Sequence, residues 1–198
     1  MKKKNLITTV ASVALVGVIA VGSTLAYLSA NDGKLTNTFK FANNITVDLY
    51  EYTPASSEKE QSGYDYENLV AGEELKKDVD VQLTTDVDAY LFVKVEAGTG
   101  DYALTLGTVD AGWTKLTNTD GDGYAVYGRK VLKDGDTTPF NLFDTVTVPS
   151  VDLSGSKTAT LKDIEIDVYA VQADLGDDVT DVSSAYTFLT KDGAKIFA

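Results

Sequence analysis

The sequence predicts an all-β protein, a sandwich or barrel of short antiparallel strands, with a short helix near the C-terminus and a signal peptide in front. Two observations predict this fold. Several segments alternate apolar and polar residues with the period of two that half-buried strands show. Turn clusters rich in Gly, Asp, Asn and Ser separate them, at 98–101, 118–123, 133–136 and 152–155. A spacing of about 8–12 residues between turns is typical of sandwiches.

The N-terminus has the build of a secretory signal peptide. Three lysines at positions 2–4 precede a mostly apolar run at 6–21, and small residues follow it. The run is shorter than the roughly 20 residues that span a bilayer, so cleavage between Ala26 and Tyr27 is favoured over retention as a membrane anchor. We therefore predict a signal peptide at 1–26, an N-terminal segment at 27–44 and a β-sandwich domain at 45–198.

The strand pattern is clearest in four segments. In the first, Ile45, Val47 and Leu49 alternate with polar neighbours. The four clear segments are 45–50, 79–83, 89–96 and 164–171, and the weaker candidates are 102–106, 113–117, 124–132 and 142–148. The polar stretch 53–68 is predicted to be a surface loop.

One helix is predicted near the C-terminus. Ser183 or Ser184 is the expected N-cap, residues 185–191 form the helix, and Gly193 stops it.

The composition excludes several classes of chemistry. The 198 residues include no His and no Cys, so Ser-His-Asp and Cys-His catalysis, the usual zinc sites and disulfides are all impossible. With 30 acids in the chain some carboxylates must lie close together, so a hydrolase site made of carboxylates has no specific support. We expect no enzymatic activity and no cofactor.

The charge of the chain argues against nucleic acid as a partner. The net charge is −13, and it becomes −16 once three lysines leave with the signal peptide. Nucleic-acid binding depends on displacing counterions with Lys and Arg. The C-terminal tail has no hydrophobic stop-transfer run and no LPxTG motif, so we expect no stable anchor after cleavage.

An Asp-Gly-Asp-Gly run suggests calcium, but the spacing fails. If Asn118 is the first position of an EF-hand loop, Asp120 and Asp122 fall on ligand positions, and the twelfth position is Arg129 instead of a carboxylate. A hairpin turn explains the same residues. Weak calcium binding at three other acidic pairs stays open: Asp78 with Asp80, Asp86 with Asp88, and Asp177 with Asp178.

The segment after the cleavage site carries a candidate assembly strand. It begins polar and turn-like, and then Leu35, Phe39 and Phe41 alternate with polar residues. Such a strand can pair inside its own sandwich or add to the sheet edge of a neighbour, which propagates into a fibre. The residues alone favour the intramolecular edge strand.

A series of short motifs, in this order, resembles the TasA/camelysin family of proteins exported through the SipW-type signal peptidase. The motifs are LAYLS at 25–29, NTF at 37–39, ITVDL at 45–49, LVAG at 69–72, KDVDV at 77–81, DAYLFVKV at 88–95, FNLFDTV at 140–146 and YAVQAD at 169–174. They span nearly the whole chain.

The resemblance implies a jelly-roll-like sandwich, secreted to the extracellular matrix or cell surface of a Gram-positive-type bacterium. It implies processing by a SipW-type peptidase and self-assembly into biofilm fibres, with possible accessory matrix proteins. The donor segment would be 27–41, with Leu35, Phe39 and Phe41 filling the groove of a neighbour. The protease activity described for camelysins is not transferred, because the chain has no His to hold zinc.

A monomeric surface-binding module for carbohydrate or a host protein is the alternative function. Exposed aromatic residues would serve it, and the candidates are Tyr90, Phe92, Trp113, Tyr124 and Tyr127. The competing interpretation is that they form a second core face, which we favour for Phe92.

Overall fold

A computed structural model describes residues 29–32, 45–52, 59–60, 64–118, 123–133, 139–150 and 161–197. These residues form ten strands, one α-helix and one 3₁₀ turn. The strands are β1 (Ser29–Asp32), β2 (Ile45–Tyr52), β3 (Lys59–Glu60), β4 (Glu74–Thr85), β5 (Ala89–Glu96), β6 (Thr105–Leu106), β7 (Thr114–Asn118), β8 (Tyr124–Val131), β9 (Phe140–Thr147) and β10 (Glu165–Gln172). The helix α1 is Val182–Leu189, and the 3₁₀ turn is Lys191–Gly193.

The described strands make two five-stranded sheets in which every pairing is antiparallel. Sheet A has the order β1-β10-β5-β8-β7, and sheet B has the order β3-β2-β4-β9-β6. The prediction of an all-β protein with a short C-terminal helix is therefore confirmed. The four clearest strand predictions correspond to β2, β4, β5 and β10.

The main core lies between the two sheets and is built from the alternating apolar residues. Val81 on sheet B and Leu91, Val93 and Val168 on sheet A are completely buried in it. Burying a side chain of this size stabilises a fold by about 1.5–3 kcal/mol. The period-two pattern of the sequence thus marks the face that each strand turns toward the other sheet.

A second hydrophobic cluster covers the outer face of sheet A. It contains Tyr90 and Phe92 of β5, Val171 of β10, Leu175, and Ala185 of α1. The central strands of sheet A are therefore buried on both faces under the helix. This explains why β5 alternates aliphatic with aromatic residues over its first half, where the polar partners of a half-buried strand would otherwise stand.

The N-cap of the helix lies two or three residues before the predicted one. Asp181 is the N-cap, and its carboxylate Oδ1 accepts a hydrogen bond from the Ser184 backbone N–H at 2.7 Å. Ser184 is the third helical residue and completes a capping box, so the prediction of Ser183 or Ser184 as the cap is wrong. The helix ends at Leu189 with Thr190 as C-cap, before Gly193 is reached.

Three other boundaries differ from the prediction. Strand β4 extends from Glu74 to Thr85 because it pairs with β2 on one side and β9 on the other. Residues 59–60, predicted to be loop, form β3 against the end of β2. The candidate 102–106 is reduced to β6, two residues long.

Candidate functional site: the sheet edges beside the N-terminal strand

The predicted export and donor residues lie outside the described part of the chain. They are the signal peptide 1–26, the cleavage pair Ala26 and Tyr27, and the donor residues Leu35, Phe39 and Phe41. The described portion of the 27–44 segment is β1. The polar residues at the start of this segment predict a turn. This prediction is wrong for residues 29–32, because they form β1, an extended strand at the edge of sheet A.

Strand β1 pairs with β10 of its own chain. The antiparallel register joins Ser29 to Val171, Ala30 to Ala170, and Asp32 to Val168. Because backbone N–H and C=O groups make such a ladder whatever the side chains are, a strand without apolar alternation can form here. Strand β1 covers four of the eight residues of β10.

The other contacts of β10 hold it in an extended conformation. On its inner side it pairs with β5 over its whole length, from Glu165 to Gln172. Val168 and Ala170 lie in the main core and Val171 lies under the helix, all completely buried. The strand is therefore fixed by both faces and one edge, and its outer edge is the part that an added strand can reach.

Strand β2 of sheet B has a second partly covered edge on the same side of the sandwich. Strands β1 and β10 both contact β2 across the core. Strand β3 pairs with Glu51 and Tyr52 of β2, and no described strand pairs with the outer edge of β2 over residues 45–50. The edge of sheet A that carries β1 and the edge of sheet B that carries β3 and β2 thus lie on the same side of the sandwich.

The opposite side of the sandwich has one covered edge and one irregular edge. The loop 107–113 donates three hydrogen bonds to carbonyl oxygens of β9, from Gly107 N to Thr145 O at 2.8 Å, from Asp110 N to Leu142 O at 3.0 Å, and from Trp113 Nε1 to Asn141 O at 2.7 Å. Strand β7, at the far edge of sheet A, has an irregular register between Lys115 and Thr117. Bulged or covered edges resist pairing with another chain.

A buried ion pair lies where β2 ends. Lys77 Nζ is 2.8 Å from Glu51 Oε2, and the two side chains are only 9% and 12% exposed. The Tyr66 hydroxyl lies 3.1 Å from Glu51 Oε1 and 2.7 Å from the Lys76 carbonyl. Burial, and then the adjacent Glu51 carboxylate, raise the pKa of Tyr66, which keeps its hydroxyl as a hydrogen-bond donor. None of these residues is among the site residues predicted from the sequence.

Three carboxylates converge on one amide on sheet B. Asn141 Nδ2 donates toward Asp144 at 2.8 Å, Asp78 at 2.9 Å and Asp80 at 3.3 Å. An NH₂ group has two hydrogens for these three acceptors. Burial, together with the charges of Asp80 and Asp144, raises the pKa of Asp78, although Lys76 Nζ at 3.8 Å partly offsets this.

Replacing Asp78 by asparagine is expected to stabilise the protein at neutral pH by about 0.5–1 kcal/mol, the scale of a charge-pair contact in a sheet. A raised pKa means that the folded state favours the protonated acid, so stability is lost as pH rises through the folded-state pKa. The gain from Asp78→Asn should be present at pH 7 and disappear in acid. Urea unfolding at several pH values measures it.

Asp65→Asn is the matched control, because Asp65 is exposed in the loop before β4. A control gain equal to that of Asp78→Asn would show that the benefit comes from lower net charge alone. A gain for Asp78→Asn that persists in acid would contradict the assigned cause.

The aromatic residues considered for a binding module are mostly buried. Tyr90 and Phe92 lie in the cluster under α1, and Trp113 and Tyr127 lie in the main core. Tyr124 is half-buried, with Lys94 Nζ 5.4 Å from its ring. The interpretation of Phe92 as part of a second core face is confirmed, and the predicted exposed aromatic surface is not formed by these residues.

A shallow cleft of about 330 Å³ opens at one end of sheet A. Glu96, Asp163 and Glu165 line it together with Lys162, and Glu96 stands directly opposite Glu165 in the β5–β10 register. Within the described ranges, no group of three or more His, Cys, Asp or Glu side chains has an arrangement suited to a metal ion.

Comparison with protein-family models, with curated proteins and with solved structures found no match. The described architecture alone assigns the class of protein: it is a two-sheet antiparallel β protein with a helix over one sheet. The described residues include no helix long and apolar enough to cross a membrane.

Proposed function

We propose that this chain is a secreted structural protein of an extracellular matrix or cell surface, which self-assembles into fibres by donating its N-terminal strand to a neighbour. Membership of the TasA/camelysin family, SipW-type processing and jelly-roll connectivity belong to this proposal. The jelly-roll assignment is supported by the repeated crossings between the sheets, at β1 to β2, β4 to β5, β5 to β6, β6 to β7, β8 to β9 and β9 to β10. No catalytic role is proposed.

One observation carries the proposal: the N-terminal strand is the outermost strand of sheet A and pairs with a β10 edge that it covers by half. An edge strand near the start of the mature chain has one ladder partner, β10, in addition to its contacts with β2, so its release breaks a single ladder. Pairing between copies satisfies the same N–H and C=O groups. The covered edge of β9 and the irregular register of β7 make the opposite side less suited to strand addition.

Deleting residues 27–41 from the mature chain is expected to abolish fibres while leaving a folded monomer. The deletion removes β1 and the predicted donor residues. All the residues named above in the main core and in the second hydrophobic cluster remain in the chain. Circular dichroism and thermal unfolding check folding, and sedimentation with negative-stain microscopy checks assembly. Fibres of unchanged morphology from the truncated chain would rule out N-terminal donation.

A pair of triple variants separates side-chain donation from simple loss of length. Replacing Leu35, Phe39 and Phe41 by serine removes apolar area worth about 25 cal/mol per Å² when buried, and it should weaken assembly strongly. Replacing Thr36, Thr38 and Lys40 by serine alters the alternate positions of the same segment and should leave assembly nearly intact. Equal loss in both variants would contradict the assignment of donor residues.

Fibre formation by the mature chain is expected to accelerate with salt and with falling pH. Each subunit carries −16 near pH 7, so close packing is opposed by repulsion. Raising ionic strength from about 0.01 M to about 1 M shortens the Debye length from about 30 Å to about 3 Å. Light-scattering kinetics across salt and pH measure the effect. Fastest assembly at low salt and high pH would refute the electrostatic argument.

A further inference from the structure

We infer that the outer edge of β10, at residues 168–171, is the acceptor for β1 of a second copy of this chain, and that the free monomer is capped because its own β1 occupies that edge. This inference rests on the proposed self-assembly and names the surface that receives the donated strand. The cap and the assembly contact would be the same four-residue ladder, made within one chain or between two.

The register of β1 is the basis for this inference. Ala30 faces Ala170 and Asp32 faces Val168 within one chain. A second copy carries the same β1 sequence and can form the same backbone ladder on the same edge. The ladder therefore contributes equally in both states, and the balance between them depends on chain concentration and on the connection between β1 and β2.

The connection is long enough to permit exchange. Twelve residues, 33–44, separate β1 from β2 in the sequence. Fully extended, they reach at most about 40 Å, whereas the spacing of about 4.8 Å between strands makes a five-stranded sheet about 19 Å wide. Strand β1 can therefore leave the β10 of its own chain and reach the β10 of an adjacent copy.

The same connection favours the capped monomer in dilute solution. A short tether gives the attached strand an effective concentration in the mM range. Copies at lower concentration compete poorly with it, so exchange is favoured where chains are crowded. If each copy passes its β1 to the next copy, the contact is head-to-tail and the assembly can continue to grow. Two copies that exchange their β1 strands reciprocally give a closed dimer instead.

The absence of cysteine makes the exchange directly testable. Ala30 and Ala170 are opposed residues in an antiparallel pair. Their Cα atoms are expected to be about 4.5–5.5 Å apart, which lies within the range of disulfides. The double variant with Ala30→Cys and Ala170→Cys, oxidised as a dilute monomer, should form an intramolecular disulfide and lose assembly. Reduction should restore assembly to the wild-type rate.

Oxidation after assembly gives the second measurement. Disulfides should then join different chains and appear as a ladder on a non-reducing gel. A locked monomer that assembles at the wild-type rate would overturn the inference. So would fibres that yield only intramolecular disulfides.

A mixing experiment remains informative if the double variant folds poorly or if no fibres form. Chains carrying only Ala30→Cys are mixed at high concentration with chains carrying only Ala170→Cys and then oxidised. Strand exchange predicts cross-linked heterodimers, well above the yield from an Asp101→Cys control paired with Ala170→Cys. Cross-links without fibres would support the acceptor edge and refute the fibre function, and fibres without cross-links would do the reverse.

Discussion

Replacing Lys77 by methionine is expected to lower the free energy of unfolding by about 3–5 kcal/mol, the usual result of breaking a buried ion pair by removing one partner. The substitution leaves the Glu51 carboxylate, only 12% exposed, without the ammonium that lies 2.8 Å from it. The Tyr66 hydroxyl, 3.1 Å from the same carboxylate, cannot replace a full positive charge. Urea unfolding of the mature chain measures the change.

The double variant with Lys77→Met and Glu51→Leu provides the control. Removing both charges replaces the pair by apolar side chains of similar size, and such exchanges are often neutral or stabilising. Most of the lost stability should therefore return. If the double variant is no more stable than Lys77→Met, the loss comes from the altered packing at position 77 and not from an uncompensated charge.

Replacing Phe92 by alanine should destabilise the protein by about 3–5 kcal/mol, because it removes a large side chain from a closed cluster. Phe92 is completely buried, and its ring lies 5.8 Å from that of Tyr186 on α1 and 6.5 Å from those of Tyr90 and Tyr169. Thermal and urea unfolding measure the loss, and near-ultraviolet circular dichroism should report the changed tyrosine environment.

Phe188→Ala is the matched control for Phe92→Ala in the second hydrophobic cluster. Phe188 is on the same helix but is 38% exposed, so its truncation should change stability by about 1 kcal/mol or less. Similar losses for both variants would mean that the contacts of the helix with sheet A are distributed, without a centre at Phe92.

The strands with both alternation and a buried face could be predicted from the sequence. In β2, β5 and β10 the inward residues are apolar at every second position, so side-chain hydrophobicity alone marks the strand. Strand β1 could not be found this way, because its four residues pair through the backbone against β10 and show no apolar period. Strand β3 is stabilised in the same way by the end of β2.

The ion pair at the end of β2 left a weak signal in the sequence. Glu51 continues the inward series Ile45, Val47 and Leu49, so the alternation places a carboxylate on the core side. A charged residue there calls for a partner. Lys77 likewise continues the buried series Val79, Val81 and Leu83 of β4, but the sequence alone does not show that β2 and β4 pair in the register that brings Glu51 and Lys77 together.

The loop that covers the edge of β9 on the far side of the sandwich also gives the protein a single-site optical reporter. Trp113 is the one tryptophan of the chain, and its indole is 7% exposed and bonded to β9. Its fluorescence therefore reports on the junction between the two sheets at the edge remote from β1. Unfolding of the sandwich changes the surroundings of the indole, whereas movement of the N-terminal strand leaves them unchanged. One emission spectrum can thus separate loss of the fold from rearrangement at the edge that carries β1.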